Sequence, residues 1–218
     1  MSSPPSIDLG RIVHDLRGPL MPLRTSAWLM RSELGDSPRV RELADIVDRQ
    51  TDKLLRLMDE FGEWARFDSA AVPVNCVPVE SAQLVDMALC GIPDCPVAPV
   101  YHDASAAVQV LADKHRADQM LRSLIQYAMH RGGDQVPTLE VSIQAERLVI
   151  RVRDHGPPLA AEARQTLLTS PQHAPFDDGL GLRLIIARKI AEAHGWRLDL
   201  DERVTDGVAL ICSLPALD

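Results

Sequence analysis

The stretch VHDLRGPL, residues 13–20, sets a histidine beside an aspartate and brings in a proline five residues after the histidine. The surrounding sequence is helical in its periodicity. Leu9, Leu16, Leu23 and Met30 recur every seven positions, and Val13, Leu20 and Ala27 follow the first three of them four positions later. That spacing predicts one amphipathic helix from about residue 7 to 34. With Leu16 as a seam position, His14 falls on the outward face. Pro19 has no N–H and its ring opposes the carbonyl of Asp15, so the helix is expected to bend beside the histidine, and Gly18 loosens it further. An isolated His–Asp pair is most often an ordinary surface feature, so its company decides its meaning.

After the turn GDSP (35–38), where Asp36 or Ser37 can cap and Pro38 can open a helix, a second seam runs through Val40, Val47, Leu54 and Phe61, supported by Leu43, Leu57 and Trp64. The two segments read as an antiparallel helical hairpin. Each helix is about 40 Å long and cannot close a core alone. A homodimeric four-helix bundle is the expected solution, and packing of the hairpin on the rest of its own chain is the alternative.

From SAAVPVNCVPVE (69–80) onward the pattern changes to short β-branched runs bounded by Pro, Gly and Asp. Strands are expected near 74–78, 108–112, 138–144, 147–153, 196–201 and 207–214, with another near 97–102. Helices fit 80–90, 115–131 and 180–194. The fold class is therefore an all-α hairpin, residues 1–70, followed by an α+β sandwich, residues 71–218, with helices on one face of a mixed sheet.

The 218 residues are 46% hydrophobic and 25% charged with a net charge of -8, which argues against a nucleic-acid binder or an anionic-membrane binder. No run of about 18 apolar residues is present to span a bilayer, and the opening MSSPPSIDLG lacks a secretion-signal pattern, so a cytoplasmic location is expected. Cys76, Cys90, Cys95 and Cys212 form no C-x-x-C pair and have no histidine at zinc-ligand spacing. Buried free thiols and no metal site are the expectation.

HDLRGPL resembles the phosphoacceptor box of two-component sensor histidine kinases: a histidine, an acidic residue and a Pro-Leu at the same offsets. DKHRADQMLRSLIQYAMH (113–130) resembles the helix that carries that family's N-L-L-x-N-A-x-K pattern. VRDHGPP (152–158) resembles its adenine-binding D-x-G-x-G turn, and DDGLGLRLIIARKIAEAHGW (177–196) its glycine box and following helix. The resemblance spans essentially the whole chain. It implies a dimerisation and phosphoacceptor hairpin, then an ATPase-type domain that binds ATP and Mg²⁺ and phosphorylates His14. The implied nucleotide contacts are Asp154, Gly156, Gly179 and Gly181. Asp15 can accept a hydrogen bond from one imidazole nitrogen, favouring the tautomer whose other nitrogen attacks phosphorus, and can take up the proton.

The pattern breaks at several positions. Leu121, Leu124, Ile125 and Ala128 register the helix and put Tyr127 in place of the Mg²⁺-holding asparagine and His130 in place of a lysine. A phenol does not replace an amide oxygen around a hard cation, and Gln126 is turned by about 100° from that face. Pro158 replaces a glycine of the adenine turn, and Asp177 replaces the first glycine of the glycine box, followed by Asp178, with no Lys or Arg in PQHAPFDD (171–178). The segment between Gly156 and Gly179 is short for an ATP lid and has only Phe176 as an aromatic. Gly18 stands where dephosphorylating members carry Asn or Thr.

These departures predict weakened or lost ATP binding, so no cofactor is expected. His14 and Asp15 then act as a phosphorelay point exchanging phosphoryl groups with response-regulator receiver domains, an upstream hybrid kinase being a further partner. Alternatives are an active autokinase using ATP and Mg²⁺, a non-catalytic pseudokinase that docks on receivers, and a general dimerisation scaffold. Leu23, Arg24 and Trp28 are candidate receiver contacts.

Overall fold

The computed structural model describes residues 9–33, 37–69, 73–172 and 179–217, with side chains from residue 20 onward in these spans except at 33, 68 and 69. Helix α1 spans Leu9–Glu33 and α2 spans Pro38–Ser69. They run antiparallel, because Arg31 pairs with Asp45 and Asp48 near the start of α2 while Arg24 reaches Asp52, further along, at 3.6 Å. Their close approach runs through small residues. Ala27, Ala44 and Thr51 are buried, and the Thr51 hydroxyl donates to the Val47 carbonyl at 2.7 Å, which satisfies it within its own helix.

Of the larger seam residues Leu20 is buried, but most of the others stay open. Leu23, Met30, Leu43 and Leu54 are each about half exposed, and Trp28 is 60% exposed. Alanines at the contact bring the backbones together and leave the long side chains at its flanks. The backbone of α1 is helical through Pro19, but the expected outward face of His14 and the roles of Asp15, Gly18 and Pro19 lie outside the described side chains.

The rest of the described chain is built on a five-stranded mixed sheet of order β2-β4-β5-β7-β6. Its strands are β2 (Pro99–Tyr101), β4 (Thr138–Gln144), β5 (Arg147–Arg153), β6 (Arg197–Leu200) and β7 (Ala209–Pro215). Only the β2–β4 pair is parallel. Strand β5 keeps a period of two except at Val149, which is also buried: Leu148, Ile150 and Val152 are buried, while Arg147, Arg151 and Arg153 are partly exposed. Helices α3 (Ser81–Cys90), α4 (Lys114–Gly132) and α6 (Arg183–Ala193) cover the inner face through Leu84, Leu121, Leu124, Leu184 and Ile190. Strands β1 (Val77–Glu80) and β3 (Gln109–Ala112) form a separate antiparallel ribbon. Phe67 at the end of α2 enters the same core, with Trp64 packed against it.

The expected elements are present, with three informative differences. Strand β1 begins at Val77 because the Asn75 N–H is tied to the Asp113 carboxylate at 3.0 Å rather than to a neighbouring strand. Helix α6 begins at Arg183 because Gly181, at φ +75°, breaks the preceding residues out of helical geometry. The turn Ser105–Ala107 and helix α5 (Ala161–Thr166) are too short to leave a periodic signal.

One expectation is corrected. All four cysteines are free, but Cys90 is exposed and Cys76 and Cys95 are half-buried; only Cys212 is a buried thiol, pushed up to about 12 by burial. Cys90 ends α3 on a surface turn, where no core face claims it. Among the described residues no helix is long and apolar enough to cross a membrane.

Candidate functional site

Helix α4 is fixed at its start by Asp113, whose side chain accepts from the amides of His115 and Arg116 at 3.1 and 3.2 Å. From that cap the helix presents Leu121, Leu124, Ile125 and Ala128 to the core, the register anticipated above. Tyr127 is buried among them, at the position taken for the displaced asparagine. Its hydroxyl is pushed up to about 12, chiefly by burial; nearby Arg131 opposes the shift and Asp154 reinforces it. Gln126 turns away and accepts from Arg183 Nη1 at 3.2 Å, so it does not substitute at the Tyr127 face.

One turn beyond Tyr127, Arg131 reaches across to Asp154. Its Nε donates to Asp154 Oδ2 at 2.9 Å, its Nη2 donates to the Pro157 carbonyl, and its guanidinium carbon lies 5.9 Å from the Tyr127 ring centre. The Asp154 side chain is 1% exposed, and its Oδ1 accepts from the Gly156 N–H at 2.8 Å. Both carboxylate oxygens are therefore bonded from within the chain. A buried carboxylate needs such partners, since leaving one unpaired costs several kcal/mol by about the desolvation of a full charge.

The glycines around it are demanded by packing. A Cβ on Gly156 would meet the Arg131 carbonyl oxygen at 2.2 Å, and one on Gly207, at φ +83°, would meet Asp154 Oδ1 at 2.7 Å. A Cβ on Gly181 would lie 2.5 Å from the Gln172 carbonyl oxygen, and the Gln172 N–H donates to Gly181 at 3.1 Å.

A cavity of about 670 Å³ opens beside this cluster, walled by Tyr127, His130, Arg131, Leu159, Leu167 and Gln172. Asp154, Gly156, Gly179 and Gly181 do not line it. Gly179 instead borders a second cleft of about 560 Å³ between α2, α4 and α6, with Glu60 and Arg183. Of the four positions expected to converge on a nucleotide, Gly179 alone lines either of these two cavities. Asp177, Asp178 and Phe176 lie outside the described residues, and Pro158 is exposed.

Mg²⁺ and ATP are what the fold would hold here. The donor set fits poorly, because a buried phenol stands at the expected metal face and the carboxylate for adenine is already paired. Among the described residues no group of three His, Cys, Asp or Glu side chains is placed to hold a metal ion.

Arg131 and Glu60 were not anticipated. Arg131 had a faint signal, since it lies one helical turn from Tyr127 on the same face. Glu60 had none, because its partners Leu180 and Leu182 are far away in sequence.

Residues 112–218 of this α+β sandwich match the family described as histidine kinase-, DNA gyrase B-, and HSP90-like ATPase. This part of the chain is an ATPase-type domain of that family, homologous to the corresponding part of sensor kinases. Over 209 residues the chain is 27% identical to the sensor histidine kinase ZraS of Klebsiella oxytoca, covering 94% of this chain and 44% of that protein. It is 27% identical over 208 residues to the nitrogen regulation protein NtrY of Azorhizobium caulinodans, covering 88% and 26%. The chain thus spans less than half the length of these two relatives.

Among solved structures it is similar to full-length ShkA in complex with AMPPNP, with a TM-score of 0.78, 24% identity, and 95% and 45% of the two chains covered. It is also similar to the histidine kinase ThkA in complex with the response regulator TrrA, with a TM-score of 0.63, 22% identity, and 95% and 60% covered. At these identities the two structures speak for the fold.

Proposed function

We propose that this chain is a cytoplasmic two-component signalling protein in which His14 accepts a phosphoryl group from a receiver-domain aspartyl phosphate and passes it to another receiver. The observation that carries this reading is the Arg131–Asp154 pair. The carboxylate that would receive the adenine amino group is buried, doubly bonded and absent from the cavity wall. With its side chain 1% exposed and Oδ2 held by Arg131, this carboxylate offers a nucleotide little access, which disfavours ATP as the donor.

In the proposed transfer a neutral imidazole nitrogen of His14 attacks phosphorus. The N–P bond forms as the acyl phosphate P–O bond breaks, the receiver carboxylate leaves with the electron pair, and Asp15 takes the imidazole proton. The reverse reaction returns the group to a second receiver. Such exchange needs positioning rather than an ATP site. The exposed seam residues Leu23, Met30, Leu43 and Leu54 support a homodimer through α1 and α2, since two such faces can bury each other.

Incubation with a ³²P-labelled receiver tests the reading. Label should appear on the chain, be lost in His14→Ala, and pass to unlabelled receiver. Equal labelling of the His14→Ala protein overturns it.

An ATP-dependent autokinase is the second reading. Retention of Asp154, Gly156 and Gly181 beside a cavity large enough for a small ligand favours it. Label transferred from γ-labelled ATP with Mg²⁺ to His14 would establish it.

A further inference from the structure

Leu180 and Leu182 flank the left-handed Gly181, and their N–H groups converge on one carboxylate from another helix. Glu60 of α2 accepts from Leu180 through Oε2 and from Leu182 through Oε1, each at 2.7 Å. Leu182 caps the start of α6 without any side-chain cap of its own. Glu60 therefore satisfies the amide of the N-cap residue and that of Leu180 in the turn before it, near the positive end of the helix dipole. Three residues further along α2, Glu63 accepts from Arg116 and, at 2.5 Å, from Gln119 Nε2, while the Arg116 guanidinium lies 5.4 Å from the Phe67 ring centre. Two carboxylates one turn apart thus fasten α2 to α6 and to α4.

We propose that Glu60 is a built-in stand-in for a phosphate group. Its carboxylate occupies the glycine turn and, by doing so, holds the ATPase-type domain docked on α2. Phosphate binding at that turn and docking on α2 are then mutually exclusive. The two amides offer a single bidentate acceptor position, and a second anion placed within a few ångströms of Glu60 would be repelled. This inference rests on reading the turn as the remnant of a triphosphate path. The docking contact itself is independent of whether ATP is used.

Amide hydrogen exchange followed by NMR on the full chain tests it. In Glu60→Ala the amides of Leu180 and Leu182 should exchange at least about tenfold faster than in the parent, while those of Ile190 and Ala191 in the same helix keep their rates. Glu60→Gln, which retains one acceptor oxygen, should lie between, and it supplies the comparison if Glu60→Ala loosens the whole helix. Unchanged exchange at Leu180 and Leu182 overturns the docking role.

Tripolyphosphate is the second probe. It should restore protection of those two amides in Glu60→Ala at a concentration at least about fivefold lower than any protective concentration in the parent. Equal concentrations, or no protection in either protein, overturn the stand-in role. Label from γ-labelled ATP on His14 of the parent would instead refute the proposed loss of ATP use, and it leaves the exchange rates to speak for themselves.

Discussion

Arg131 Nε donates to the Asp154 Oδ2 at 2.9 Å, closing a buried ion pair between the end of α4 and the loop after β5. The pair ties the end of the α4 helix to the turn that carries Asp154 and Gly156.

Removing one partner should be costly. Arg131→Met leaves Asp154 buried with a single amide donor and should destabilise the protein by about 3 kcal/mol in urea unfolding. Replacing both residues, as Arg131→Met with Asp154→Asn, should recover at least about half of that loss, because no uncompensated charge remains. A double variant as unstable as the single one would show that the pair is not the source of the cost.

The unpartnered seam gives a second expectation. Leu54→Glu places a charge on the half-exposed flank of α2, where the proposed second copy would pack. Sedimentation should show the parent as a dimer and the variant as a monomer, with helical circular dichroism retained. A variant that still sediments as a dimer would move the interface elsewhere.

The β4–β5 hairpin turns through Ala145 at φ 47° and Glu146 at φ 61°, both left-handed. Neither side chain favours that region, whereas Asn-Gly does. Ala145→Asn combined with Glu146→Gly should stabilise the protein by about 1 kcal/mol, seen as a rise of roughly 3 °C in Tm.

Acid sensitivity should have identifiable sources. At Asp113 burial pushes the carboxyl up, but hydrogen bonds from the Asn75, Arg116 and His115 amides outweigh it and leave it below the usual range. At Asp201 the hydrogen bond from the Arg203 side chain leads in the same direction, opposed by burial and aided by the Arg203 amide and by Arg151. A folded-state pKa below the unfolded one means that the stabilisation is whole above the ordinary carboxylate range, near about pH 4, and is lost as pH falls from there through the folded values. Thermal unfolding between neutral pH and pH 3 should therefore decline less steeply in Asp113→Asn with Asp201→Asn than in the parent.

Local periodicity made much of this structure legible. The largely β-branched run Leu148–Val152, flanked by Arg147 and Arg153, locates β5, and the spacing of Leu121, Leu124, Ile125 and Ala128 sets the face of α4 correctly. What pattern does not carry is the identity of the partner. The heptads of α1 and α2 mark an apolar stripe, yet Ala27 and Ala44 are its most buried residues, while Leu23, Leu43 and Leu54 are left half exposed. His130 occupies the family's lysine position but is exposed, whereas Arg131, about 100° further around the helix, makes the ion pair. Glu60 meets Leu180 and Leu182 only because the tertiary fold brings α2 beside α6, and no spacing within the sequence encodes that.

Gly156, Gly181 and Gly207 each face backbone or side-chain atoms that leave no space for a Cβ. Mutational drift at these positions is barred by the domain's own folding, whatever the pocket holds. A glycine signature of this kind can outlive the ligand it first served, and it dates the scaffold rather than the activity. In chains of this type, binding competence is better judged from the residues at positions 127, 131 and 154 than from the glycines.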